Sequence, residues 1–209
     1  MENVTNASTE VSARPPVFES SEPSPLVLEE LRSALESFRN ASDSPGVPND
    51  ATARLEALAR LACEADEPEH ARTLLAPKAR GLVHIDERSG LPAAFILWGP
   101  VTEETRAWLA PQGLAADFEV LLIAVEAARR RRGIGRGLLE AALESEAKGA
   151  RWVLGTGNVP ATERFYRASA WEPVGLEPGY FERAYGHAIF DGETRLTARA
   201  YFMKTTKHT

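Results

Sequence analysis

The sequence predicts an α/β domain with a mixed sheet and helices on its faces, and three observations carry that expectation. Short apolar runs rich in branched side chains, such as "FEVLLIAV" at residues 118–125, alternate with segments of helical period such as "IGRGLLEAALESEAKG". The 209 residues are 44% hydrophobic and 26% charged, an ordinary balance for a chain that buries one core. No internal repeat divides it. The expected organisation is a disordered tail over residues 1–24 and a single domain over residues 25–209.

Residues 1–24 are rich in Ser, Pro, Glu and Asn, with too little apolar surface to offset ordering. Ser24 and Pro25 suit a cap and a first turn, and Leu28, Leu31, Leu35 and Phe38 then recur at helical spacing. "NASDSPGVPND" breaks that helix. A second is expected after Asp50 with Leu55, Leu58 and Leu61 on one face, and "PEHARTLL" adds a short one. The pattern then changes. "GLVHID" and "PAAFILWG", joined by "ERSGL", read as a β-hairpin. Thr102 suits the cap of a brief helix running through Leu109 and ended by Pro111, and "DFEVLLIAV" reads as a central strand. The helix after it buries Ile134, Leu138, Ala142 and Leu143 and stops at Gly149. "RWVLGTG" is the next strand, "PATERFYRASA" the next helix with Pro160 in its first turn, and "LTARAYFMK" the last strand.

Charge narrows the function. The formal net charge is -6, which argues against a general nucleic-acid binder. Acidic residues outnumber basic ones by 14 to 6 in residues 1–75, leaving 16 against 18 in residues 76–209, so the acidity belongs to the N-terminal part. The opening "MENVTNASTEVSARPPVFES" lacks a basic stretch leading into an apolar one, and no apolar run approaches the roughly 18 residues of a membrane span. A cytoplasmic protein with no membrane partner is expected. Cys63 is the sole cysteine and reads as a helix-face filler. His84 and His187 have no partner at metal-ligand spacing, so no metal is expected. Trp98, Trp108, Trp152 and Trp171 read as core residues.

The chemistry centres on "RRRRGIGRG", residues 129–137, where fixed positive charge runs into bare backbone. A Walker loop needs a Lys-Ser/Thr pair that is missing here. A dinucleotide fingerprint needs a glycine where Leu138 stands. A third design fits: a strand, a loop of the form [QR]-x-x-G-x-[GA] met by Arg130, Gly133 and Gly135, and a helix whose N-terminal amides face a diphosphate.

The segment "VEAARRRRGIGRGLL", followed by "LGTGNVPATERFYRASAW", resembles the GNAT superfamily of acyl-coenzyme A dependent N-acyltransferases, over roughly residues 117–204. The resemblance implies a mostly antiparallel twisted sheet with splayed central strands. It implies acetyl-CoA as acyl donor, its diphosphate on Arg130, Arg131, Arg132, Gly133, Ile134, Gly135 and Arg136. The pantetheine arm would run along the backbone of Ile123 and Val125, near Asn158. Tyr166 would protonate the leaving thiolate, with Phe165 a rival for that register. Glu119 lies near the start of an apolar strand, six residues before Val125 and on its face by period-two alternation, as in the histone acetyltransferase branch, where such a Glu is the general base. The implied acceptor is a small-molecule or peptide amine, received between residues 25–75 and 176–194, and dimerisation is common in such folds. The chain departs from the family's pattern in showing no strand ahead of the first helices, and in Ala170-Trp171 where Gly-Phe is usual. The alternative is a non-catalytic acyl-CoA-binding or partner-binding module that kept the loop.

Overall fold

A computed structural model describes residues 79–206 together with Leu58 and Leu61. The tail, the helix from Ser24-Pro25, Cys63 and the "PEHARTLL" helix lie outside the described residues. Of the second expected helix, Leu58 and Leu61 are described, both helical and 4% and 1% exposed.

Six strands form one sheet. β1 (Arg80–Ile85) and β2 (Pro92–Pro100) make the expected hairpin, β3 (Phe118–Val125) follows, and the order continues β4 (Arg151–Gly157), β8 (Ala198–Thr205), β5 (Glu172–Pro178). Only β3 and β4 are parallel; every other pairing in the sheet is antiparallel. β6 (Phe190–Asp191) and β7 (Thr194–Arg195) form a separate small hairpin. Helices α1 (Glu103–Leu109), α2 (Ile134–Glu144), α3 (Pro160–Ala168) and α4 (Tyr180–Tyr185) fill the connections.

Each helix follows from its sequence. Thr102 caps α1 by accepting the Thr105 N–H at 3.3 Å, and Pro111 falls in the 3-10 turn Ala110–Gln112 that ends it. α2 buries Leu138, Leu139, Ala142 and Leu143 against Val120, Trp152, Leu154 and Phe202. Each of those leucines would cost about 2–5 kcal/mol if cut to Ala. Ile134, expected in the core, is only partly buried, and the helix stops at Glu144 rather than at Gly149. The Ser145 hydroxyl donates to the Ala142 carbonyl at 2.7 Å and competes with helix continuation, while Gly149 takes φ +82° in the turn into β4. α3 has Pro160 in its first turn, as expected.

Opposite α2, the sheet carries Phe95, Leu97, Leu122 and Ala124 under Leu58 and Leu61, and Val153 and Tyr201 under Val101 and Leu109 of the α1 region. The two faces trade places along β3. Leu97 pairs with Leu122 but Trp98 pairs with Val120, so Leu121 is an extra residue, a β-bulge. Phe118 and Val120 before it, and Ile123 and Val125 after it, all pack on the α2 side. Two-residue alternation therefore breaks at Leu121, and Glu119 lies on the face opposite Val125, not on the same face.

Candidate active site

β3 and β4 pair only at Phe118–Trp152, Glu119–Val153 and Val120–Leu154. β2 stays paired with β3 to Val125, while β4 stays paired with β8 to Gly157. The two central strands therefore part into a wedge that starts at the bulge. The Glu126 amide donates to Ala93 at 2.9 Å and sets the ladder alternation, so the N–H and C=O of Ile123 and Val125 face the wedge rather than β2.

At the open end of the wedge stands the arginine-glycine loop. Gly133 takes φ +82° at the N-cap of α2 and offers no side-chain cap. The first bond inside the helix runs from the Gly137 amide to Gly133, at 2.9 Å, which leaves the amides of Ile134, Gly135 and Arg136 as outward-facing donors at the positive end of the helix dipole. The arginines divide. Arg129 is tied to Asp86 and, at 2.7 Å, to Glu126; Arg130 donates its Nε to the Val125 carbonyl at 3.0 Å; Arg136 donates to the carbonyl of Ala168 at 3.1 Å, closing the end of α3. Arg131, in the left-handed region at φ +63°, and Arg132 are exposed, with no partner among the described residues. Loop folding thus uses three of the cations and leaves two for a ligand.

Of two neighbouring aromatics on α3, Phe165 reaches this region, and Tyr166 packs behind it in the core. Phe165 is partly buried, and a Cβ at Gly135 would lie 3.5 Å from its Cζ and 3.4 Å from Val125 Cγ2. Tyr166 is 5% exposed, its ring centroid 5.5 Å from that of Phe202 and 6.3 Å from that of Trp171. Burial pushes its phenol well above the usual range, so it stays protonated, and its hydroxyl makes no hydrogen bond among the described residues. Asn158 is engaged elsewhere. Its amide donates to Thr197 Oγ1 at 3.0 Å and accepts from the Thr197 and Ala198 amides, both at 3.2 Å, fastening the end of β4 to the start of β8.

Glu119 is 1% exposed, and its carboxylate accepts from three donors: the Thr102 amide at 2.8 Å, Thr105 Oγ1 at 2.7 Å and Arg199 Nη2 at 3.2 Å. Burying that charge is tolerable because it is paired and hydrogen-bonded. Sequence reasoning did not find Arg199. Its side chain, 12% exposed, lies over Gly155, where a Cβ would fall 1.9 Å from its Nε, and between the rings of Tyr180 and Tyr201 at 4.7 and 5.0 Å. Burial works against its charge, but Tyr180, Tyr201, Glu119 and Glu104 outweigh that and hold it protonated. Two signals were present: an arginine inside the apolar strand "LTARAYFMK", and glycine within "RWVLGTG", which marks close approach by another group. Glu104 completes the cluster, half exposed, accepting from the Tyr180 hydroxyl at 3.2 Å.

A cavity of about 700 Å³ elsewhere, between the second half of α2 and the ends of β5 and β8, is lined by Glu140, Leu143, Glu172 and Met203, and by none of the predicted site residues. Among the described residues no group of three His, Cys, Asp or Glu could hold a metal, and no helix is long and apolar enough to cross a membrane.

No protein-family model matches the chain, and no curated protein matches it in sequence. Solved structures match its fold. The IAA acetyltransferase from Bacillus cereus ATCC 14579 is 18% identical with a TM-score of 0.56, the match covering 70% of this chain and 90% of that one. A GNAT family acetyltransferase from Elizabethkingia anophelis with acetyl-CoA bound is 16% identical with a TM-score of 0.56, covering 78% and 94%. The ribosomal-protein-S18-alanine N-acetyltransferase from Escherichia coli is 13% identical with a TM-score of 0.53, again covering 78% and 94%.

Proposed function

We propose that this chain, which has the fold of the GNAT acetyltransferases, is an N-acetyltransferase that moves an acetyl group from acetyl-CoA to a primary amine by direct transfer in a ternary complex. The observation that carries the reading is the coincidence of two open backbone features: the uncapped N-terminus of α2 and the wedge between β3 and β4, joined by the arginine-glycine loop of residues 126–133. The diphosphate rests on the amides of Ile134, Gly135 and Arg136, with Arg131 and Arg132 adding charge. The pantetheine arm pairs with the backbone of Ile123 and Val125 like an added strand. Arg130 belongs to the loop's own framework through Val125.

Transfer requires a neutral amine, and bringing an alkyl ammonium of pKa about 10.4 to that state at pH 7 takes roughly 4–5 kcal/mol. Glu119 faces the acceptor side of the wedge, but its carboxylate is held by three donors. Its task is therefore to hold Arg199 and the start of α1, in place of direct proton removal. Burial keeps the Tyr166 phenol protonated and makes it a weaker acid than in water, so its role is a relay that passes a proton to the thiolate as it takes one from the attacking nitrogen. Asn158 fixes the β4–β8 end of the wedge rather than touching the arm.

The test is calorimetric titration of acetyl-CoA into the full chain, followed by release of free CoA over a panel of amines. Binding with amine-dependent turnover is expected. Binding without turnover for any amine would favour the non-catalytic module instead, and no binding would overturn both.

A further inference from the structure

The acceptor side of the wedge holds a charge cluster that loop chemistry leaves unexplained. Arg199 is a nearly buried guanidinium with several N–H donors, yet among the described residues it donates one hydrogen bond, to Glu119 at 3.2 Å, and lies 3.6 Å from Glu104 Oε2. Its carbon sits 4.7 Å from the centroid of Tyr180, whose hydroxyl bonds the same Glu104 oxygen at 3.2 Å. Glu119 is sealed in at 1% exposure, whereas Glu104 keeps 52% of its side chain open to solvent. Two carboxylates and one guanidinium leave the cluster one negative charge in excess, and the exposed share of it is on Glu104. The cluster stands at the apex of the wedge, since Arg199 fills the space beside Gly155, the first β4 residue past the last β3 partner.

We propose that Glu104, oriented by Tyr180 and Arg199, receives the ammonium group of the acceptor, so that the acceptor is a cationic amine with no carboxylate within a few methylenes of the reacting nitrogen. This rests on the acyl-transfer reading above. One ammonium neutralises the cluster; an added carboxylate on the same molecule would bring back one uncompensated negative charge beside the buried rings of Tyr180 and Tyr201. In the reaction the ammonium gives one proton to Glu104 and through it to solvent. The nitrogen lone pair forms the new C–N bond at the thioester carbonyl, the C–S bond breaks as Tyr166 gives its proton to the thiolate, and the second nitrogen proton restores the Tyr166 phenol. The net change is ammonium plus thioester to amide plus thiol plus one released proton.

The experiment compares wild type, Glu104→Gln and Glu104→Asp, each as the full chain, in titrations with n-butylamine, γ-aminobutyrate and, separately, acetyl-CoA. Because Glu104 is half exposed, the isosteric variant keeps the fold, which circular dichroism checks. Expected results are n-butylamine binding to wild type, about tenfold weaker in the Gln variant and partly restored in the Asp variant, with γ-aminobutyrate weaker than n-butylamine and acetyl-CoA affinity unchanged. Equal n-butylamine affinity in wild type and the Gln variant, tighter binding of γ-aminobutyrate, or no binding of n-butylamine to wild type overturns the subsite. Failure of acetyl-CoA to bind wild type overturns the enzyme reading instead, and the amine titrations on the free protein decide the subsite independently of it.

Discussion

Gly135 has room for a methyl group and none for a charge. A Cβ there would make ordinary contacts with Val125 and Phe165 at 3.4 and 3.5 Å, so Gly135→Ala should fold normally. Gly135→Asp places a carboxylate among the open amides of α2, where a phosphate would have to come. It should abolish acetyl-CoA binding while the variant still unfolds cooperatively; unchanged calorimetric affinity in a folded variant would remove the loop as the phosphate site. Glu119 tests a different claim. In Glu119→Gln the Arg199 guanidinium loses its hydrogen-bonded counter-charge in a nearly buried place, and one-sided loss of such a pair costs about 3–5 kcal/mol. Denaturant unfolding should show that loss. A variant of native stability whose turnover is lost near neutral pH and recovers only as pH rises toward the amine's own pKa of about 10.4, with acetyl-CoA still bound, would return the base role to Glu119. Residue identity was readable in the loop because glycine and arginine have few substitutes there. Arg199 was hidden because its meaning comes from Glu119, Tyr180 and Gly155, which the chain brings together from far apart in sequence.

Elements with a strong period were legible, and those without one were not. β1 to β4, α1, α3 and β8 stand where residue pattern puts them. β5, "EPVGLEP", is an edge strand with two prolines and mostly exposed or half-exposed positions, so it shows no alternation; α4 is six residues long, too short for a helical period to repeat. The β3 bulge was silent for another reason. Residues 120–125 are apolar and packed on both faces, so a one-residue slip leaves no polar marker to betray it. The short β3–β4 ladder needs support at its closed end, and Asp117 supplies it. Its carboxylate accepts from the Arg151 amide at 2.8 Å and its own amide donates to the Arg151 carbonyl at 2.7 Å. The Arg151 backbone N–H, and then the Arg151 side chain, hold the Asp117 carboxyl below its ordinary value. A carboxyl lowered in the folded state stabilises the protein above its unfolded pKa of about 3.9, and that contribution fades as pH falls through the folded value. Asp117→Asn should therefore lower stability at pH 7 by less than about 1 kcal/mol, since the pair is half exposed. The difference from wild type should shrink once pH drops below about 3.9. A deficit that persisted unchanged at pH 3 would mean that the amide geometry, not the charge, holds the ladder.

At the scale of the whole molecule, a chain of net charge -6 is asked to take up a polyanion. The charges are unevenly placed: residues 1–75 carry 14 acidic against 6 basic side chains, and residues 76–209 carry 16 against 18, with Arg131 and Arg132 exposed beside the α2 N-terminus. Screening over about 8–10 Å at physiological salt mutes the distant acidity more than the contact between a phosphate and those two guanidiniums. Local attraction should therefore dominate, and it should be salt-sensitive because both arginines are solvent-exposed. Acetyl-CoA at about one hundred times its Kd should stabilise the folded chain by about 2.7 kcal/mol through mass action, raising Tm by roughly 5–10 °C for a domain of this size. Arg131→Gln/Arg132→Gln should need more ligand to reach the same shift, and its affinity should fall less steeply as salt is raised. The amides remain in the double variant, so some shift should survive. If Tm does not move for wild type at saturating acetyl-CoA, the open helix end and the wedge serve something other than this coenzyme; if the double variant matches wild type at every salt concentration, main chain alone holds the phosphates and the arginines face only solvent.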